Sequence, residues 1–198
     1  VDEIVIRGML RWPNVPAVYG WLTLDRRGNW MIKTVGARFE RISNPAVIEF
    51  IGRNYACDEE GRWYFQNGPQ RVFACLEYTP WIYRTDDAGG GFVAHTGDAP
   101  RALRALFVDD AGGLLLQTEQ GIGAILDRDL PVVIERLRDE AGRPVEPLLE
   151  RLARAADARD HVALDGSRLP IASIRAAEVA RRFGFVPSPT PRPGEPEC

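Results

Sequence analysis

Lysine is nearly missing from this chain: Lys33 is the only one among 25 basic residues, the others all being arginine. Net charge is equally scarce, since 28 acidic side chains leave a formal balance of only -3. Binding to a phosphate backbone draws most of its affinity from clustered Lys and Arg, so this balance predicts no nucleic-acid partner. The arginine-rich C-terminal part fits that reading, because its arginines alternate with Glu135, Asp139, Glu140, Glu146, Glu150, Asp157 and Glu178 as solvated helix faces do. No apolar run approaches the roughly 20 residues of a membrane span, so no membrane role is expected. The segment from Val1 to Arg7 lacks the basic and apolar regions of a secretory signal, which predicts a cytoplasmic chain.

Histidine and cysteine are sparse as well. Cys57, Cys75 and Cys198 are an odd set, expected to be free thiols, and His95 and His161 stand far apart with no H-x-x-H or H-E-x-x-H spacing. The sequence therefore predicts no metal site and no cofactor. There is no G-x-S-x-G elbow, and the glycines at Gly121 and Gly123 precede no helix that would form a dinucleotide fingerprint. Cys75, close to Arg62 across a predicted hairpin, and the carboxylate pairs of "CDEEG" and "VDDAG" are the strongest enzymatic candidates. Their ordinary readings are a small buried hydrophobe and an Asp that caps its own turn. No catalytic residue is assigned.

What is abundant is turn chemistry. Segments "LDRRGNWMIK" from Leu24, "CDEEGRWYFQ" from Cys57 and "VDDAGGLLLQ" from Val108 each place Asp at the head of a turn and Gly three residues on, followed by an apolar run. The second and third match best, with Asp58, Gly61 and Gln66 against Asp109, Gly112 and Gln117. A helix is predicted before each. "SNPAVIEFIGRNY" has Ser43 or Asn44 as cap, Pro45 at the first helical position and an apolar stripe from Val47 to Tyr55, and "GDAPRALRALFVDD" has Asp98 as cap. Further helices are predicted over "PVVIERLRDEAG", "EPLLERLARAADA" and "SIRAAEVARRFG", and a strand pair over "HVALDGSRLPI". The fold class that follows is α+β, with two similar lobes, each a helix packed on antiparallel hairpins, and additional C-terminal helices. Three glycines from Gly89 to Gly91 place the boundary, giving lobes 1–88 and 89–186, and the proline-rich segment 187–198 is expected to be a disordered tail.

The densest stretch, "GRWYFQNGPQRVF" from Gly61 to Phe73, alternates as a hairpin. Trp63, Phe65, Val72, Ala74 and Leu76 share the face predicted to be core, and Arg62, Tyr64, Gln66, Arg71, Phe73, Cys75 and Glu77 share the other. Pro69 has no N–H, which favours a four-residue loop over Asn67 to Gln70. In the first hairpin Tyr19, Trp21, Trp30 and Ile32 are expected on one face and Leu22, Leu24 and Met31 on the other, with Trp12 as an anchor ahead of it.

The strings "WPNVPAVYGWLTLD", "FIGRNYACDEEGRWYFQNGPQRV" and "LEYTPW" resemble those of an uncharacterised family of bacterial proteins known only as a domain of unknown function, over about the first two thirds of the chain. That resemblance implies no activity, cofactor or substrate. The order of a glycine, a short strand, Arg-Ile, a helix, a D-x-x-G hairpin and an acidic-Pro-aromatic stretch is more loosely similar to a second uncharacterised bacterial family of two-lobed α+β fold, which bears on architecture alone. The functional expectation is a non-catalytic binding or regulatory module. Its partner is expected to be a protein or a small polar ligand, met at Asn54, Arg62, Tyr64, Gln66, Asn67, Gln70, Arg71 and Phe73, because arginine and tyrosine are enriched where surfaces recognise partners. The alternative is a small enzyme using a cysteine or paired carboxylates in a cleft between the lobes.

Overall fold

A computed structural model describes residues 1–12, 15–86, 90–155 and 158–193, so expectations resting on Pro13, Asp157, Gly89 and Cys198 lie outside the described residues. The chain forms two compact units. Unit 1 comprises Val1–Pro80 and takes up the chain again from Gly184, while unit 2 is Trp81–Phe183. The division therefore falls at Pro80–Trp81 instead of at the glycine run.

Unit 1 contains α1 (Glu3–Arg11), β1 (Val18–Leu24), β2 (Trp30–Lys33), β3 (Phe39–Arg41), α2 (Pro45–Arg53), β4 (Tyr55–Cys57), β5 (Trp63–Asn67) and β6 (Gln70–Leu76). Its six strands lie in the order β3-β2-β1-β6-β5-β4. Both three-strand meanders are antiparallel, and they join through β1 and β6, which run parallel. The crossover between them is α2. Asn44 caps it by accepting the Ala46 N–H at 3.0 Å, Pro45 occupies the first turn where an N–H is dispensable, and Ile51 is buried. Phe50 meets Phe65 edge-on at 5.4 Å, and Trp30, 1% exposed, fills the core beside Tyr55 at 5.2 Å. The N-terminal segment, unassigned from sequence, forms α1. It is held by Asp2, whose N–H donates to Asn54 Oδ1 at 2.7 Å and whose carboxylate pairs with Arg53 at 3.3 Å.

The first hairpin departs from expectation. Leu24 stands opposite Trp30 and Leu22 opposite Ile32, so these four share one face and Thr23 and Met31 the other. The cause is the loop Asp25–Asn29, closed by Asp25 N–H to Asn29 O at 3.0 Å, whose odd length shifts the expected register by one residue. Trp12, expected to be an anchor, is 52% exposed beneath the Arg11 guanidinium. In the β5–β6 hairpin the faces are as read, with Phe65 opposite Val72 and Tyr64 opposite Phe73. The connection is shorter than expected: Asn67 pairs with Gln70, Gly68 takes the φ of 56° that the first position of such a two-residue turn demands, and Pro69 supplies a fixed φ at the second.

Unit 2 contains β7 (Trp81–Thr85), β8 (Phe92–Ala94), β9 (Leu103–Asp109), β10 (Leu114–Thr118), β11 (Ile122–Ile125), α3 (Leu130–Arg136), β12 (Leu137–Asp139), α4 (Glu146–Arg154), β13 (Arg159–Leu164), β14 (Ser167–Ile174) and α5 (Val179–Phe183). Its strand order is β12-β13-β14-β9-β10-β11-β7-β8, with β14 parallel to β9 and β7 parallel to β11. The helix expected before Asp109 is the central strand β9. Ala105, Leu106, Phe107 and Val108 are all buried, and a run buried on both faces loses the alternation that marks a strand in sequence. The molecule is thus α+β, with two mixed sheets of six and eight strands and five short helices among the described residues. The parallel pairs replace the purely antiparallel sheets that the hairpins implied.

From Gly184 the chain lies on unit 1. Val186 N–H donates to Gly61 O at 2.9 Å, Leu76 N–H donates to Pro187 O at 2.7 Å, and Arg192 pairs with Glu60 at 2.5 Å. Pro187 to Arg192, expected to be disordered, therefore lies against unit 1, and Pro189 is buried. A backbone hydrogen bond at Pro187 and the Arg192–Glu60 pair hold it, contacts that composition does not display.

Candidate functional site

The candidate residues from Arg62 to Phe73 belong to β5, β6 and the turn before β5, all in unit 1. Asp58 builds that turn. Its Oδ1 accepts the N–H groups of Glu60 and Arg62 at 3.0 and 2.9 Å, and its Oδ2 accepts Arg62 Nε at 2.8 Å. Burial opposes ionisation of this carboxyl, but the hydrogen bonds from Arg62 and Glu60 and the guanidinium charge outweigh it and hold Asp58 below the ordinary carboxylate range. Arg62, 6% exposed, lays its guanidinium 4.7 Å above the Phe73 ring. Phe73 in turn stacks on Tyr19 at 4.6 Å and meets Tyr64 edge-on at 5.7 Å, and Arg71 caps Tyr64 at 4.7 Å.

This alternation of aromatic rings and arginines lines a groove of about 390 Å³, bounded also by Ala17, Cys57, Asp58, Glu59 and Arg192. Of the eight candidates, Arg62, Tyr64, Arg71 and Phe73 are brought together here. The others have local structural work. Asn54 is buried at the end of α2, donating to Phe50 O at 2.9 Å and to Asp2 at 3.3 Å. Gln66, 2% exposed, donates to Gly68 O at 2.9 Å, and Gln70 donates to Pro16 O at 3.1 Å. Asn67 is exposed at the turn, away from the groove lining. Sequence reasoning missed Tyr19, which reaches Phe73 only through the parallel β1–β6 ladder, and Arg192, which sits in a segment without periodicity.

Two cysteines lie on or beside this face, Cys57 in the groove lining and Cys75 on β6. Burial pushes the Cys57 thiol up to about 11, with Asp58 adding to it, and burial also raises the Cys75 thiol. Among the described residues no three His, Cys, Asp or Glu side chains gather in a way that would hold a metal ion, and no helix is long and apolar enough to cross a membrane.

Architecture is shared with a solved protein. The chain is similar to the crystal structure of a DUF1285 family protein from Silicibacter pomeroyi DSS-3, with a TM-score of 0.51 and 14% identity over 88% of this chain and 97% of that one, a likeness of fold alone. The sequence pattern of the family described as "Protein of unknown function (DUF2946)" matches residues 1–190, and the chain belongs to that family. The resemblance read from the aromatic strings is thereby extended over nearly the whole chain. No curated protein matches it.

Proposed function

We propose that the chain is a non-catalytic binding module assembled from two copies of one α+β unit, and that the groove of unit 1 takes a small polar ligand carrying negative charge. Support for the duplication lies in the ladders. The order β3-β2-β1-β6-β5-β4 recurs as β11-β10-β9-β14-β13-β12, and the inner strands are parallel in both. Local sequence agrees: Pro45-Ala46-Val47-Ile48-Glu49 opens one crossover helix and Pro131-Val132-Val133-Ile134-Glu135 the other. Asp58-Glu59-Glu60-Gly61-Arg62 and Asp139-Glu140-Ala141-Gly142-Arg143 form turns in which arginine Nε lies 2.8 Å from the aspartate. Under this alignment Asp58 corresponds to Asp139 and Asp25 to Asp109, whereas the turn pattern alone pairs Asp58 with Asp109.

The binding reading is carried by one observation: exposed Arg71 lines a groove walled by Tyr19 and Tyr64, at whose rim Arg192 is paired with Glu60. Stacking holds the Arg71 guanidinium in place while leaving its N–H edge for an anion. Arg71→Ala is expected to cost the fold only about 0.5 kcal/mol, as exposed truncations do, while a binding arginine contributes about 2 kcal/mol or more. Inorganic phosphate and succinate serve as probes in thermal melts and calorimetry. At least one should stabilise the parent in a saturable manner, with the effect lost in Arg71→Ala. If neither probe binds the parent at millimolar concentration, or if the variant binds as the parent does, the anion reading fails. An unfolded Arg71→Ala would instead make this arginine a strut of the hairpin.

A further inference from the structure

β3 and β11 hold the same place in the two ladders, yet only β11 has a strand on its outer side. There β7 runs parallel to it, with Gly123 opposite Trp81, Ala124 opposite Ile82 and Ile125 opposite Tyr83. β3 is the outermost strand of its sheet among the described residues. The pairs Leu22–Ile32 and Lys33–Phe39 of unit 1 correspond to Leu106–Leu116 and Gln117–Ile122 of unit 2. Burial differs sharply between the counterparts. Ile32 and Phe39 are each 44% exposed, whereas Leu116 is 0% and Ile122 3% exposed. Apolar residues lie open in unit 1 where the other unit has an added strand.

The backbone is set up to pair. Ile42 N–H donates to Trp30 O at 2.8 Å, so alternation turns the N–H and C=O of Arg41 away from β2 and toward the open edge. On the outer face, Lys33 and Arg41 flank Phe39, and Arg38 precedes it; Arg38 and Arg41 make no ion pair among the described residues. No strand position of β1, β2 or β3 on that face is a carboxylate, since Glu40 points to the other side with Ile32. Two β3 edges brought together about a two-fold axis normal to the sheet would run antiparallel, unlike β7 on β11.

We infer that the free edge of β3 accepts an extended segment of a partner protein, laid parallel to β3, with apolar side chains on the face that carries Ile32 and acidic side chains beside Arg41 on the face that carries Lys33. Main-chain hydrogen bonds would supply affinity and the alternation would supply specificity. This rests on reading the units as two copies of one module, and it concerns a surface separate from the groove.

The test is fluorescence anisotropy of a labelled seven-residue peptide alternating valine and glutamate, titrated with the full chain. Saturable binding is expected, weaker by about tenfold or more for a peptide with the same residues in blocks and for one alternating valine and lysine. Arg41→Pro should abolish binding and leave the melting temperature nearly unchanged, because the N–H it removes makes no ladder bond. Should that variant fail to fold, Arg41→Glu decides instead, by shifting preference toward the lysine peptide. The inference is overturned if the alternating peptide does not bind, if the block peptide binds as well, if Arg41→Glu leaves the preference unchanged, or if the chain self-associates through this edge without binding peptide. Its precedent is tested separately by NMR. Absence of cross-strand contacts between Gly123 and Trp81 would remove the precedent of β7 on β11 and with it this inference, leaving the repeat of strand order untouched, whereas their presence with no peptide binding removes the acceptor edge alone.

Discussion

Gly61→Val is expected to lower the melting temperature by about 10 °C, corresponding to about 3 kcal/mol or more in a chain of this size. Two effects add. Gly61 has a φ of 77°, a conformation in which a β-branched residue is strained by about 1–2 kcal/mol. A Cβ built there would also lie 2.1 Å from Gly184 O and 3.0 Å from Phe185 Cα, which is backbone and cannot rotate away. The returning segment would have to move, losing the hydrogen bond from Val186 N–H to Gly61 O. Gly142, at the matching place in the Asp139 turn, supplies the control: its φ is 75°, but nothing lies within 4 Å of a Cβ built on it. Gly142→Val should therefore show the conformational cost alone. Equal losses at the two positions would mean that the chain beyond Gly184 does not pack against Gly61.

That comparison marks the limit of what the sequence displays. Asn44-Pro45 and each Asp-x-x-Gly turn were legible because capping and turn formation are decided within a few residues of chain. The two faces of β5 and β6 were legible because alternation survives any even change of register. The alignment of the repeats was not, because the Asp-Gly turn serves every hairpin here, and only strand order, a property of distant pairings, tells one copy from the other. β9 reads as a helix in sequence because a strand buried on both faces has no polar side to give its period away. Among the site residues, Asn54, Gln66 and Gln70 looked like a polar surface, yet each donates its amide to a backbone carbonyl or to Asp2. A polar side chain in sequence carries no label saying whether its partner is solvent, ligand or its own fold.

His95 gives the chain a stability that fades on mild acidification. Ile82 N–H donates to its Nδ1 at 3.3 Å, so the ring proton resides on Nε2, and Nε2 is itself buried, beside Trp81 at a ring distance of 5.7 Å. The residue as a whole is half-buried, but it is the ring nitrogens that bear the charge. Burial pushes its pKa down from 6.5 to about 3. The sign follows from linkage. The unfolded chain takes up a proton near pH 6.5 and the folded chain does not until about pH 3, so the contribution is complete above pH 6.5 and is lost progressively as pH falls through that window. The full slope for one proton is about 1.4 kcal/mol per pH unit, and partial access of water to the rest of the side chain reduces it to about 1. Asp2, Asp58, Glu119 and Asp139, whose carboxyls are held below their ordinary range, weaken the fold in the same direction only below about pH 5, where the carboxyls of the unfolded chain begin to take up protons. Urea unfolding between pH 7 and 5 thus leaves these carboxyls out of the change, and the parent should lose about 1–2 kcal/mol through His95 over that interval. His95→Asn keeps an acceptor for Ile82 N–H but cannot titrate, so its stability should be flat from pH 7 to 5. A variant that follows the parent's slope would place the titrating group elsewhere.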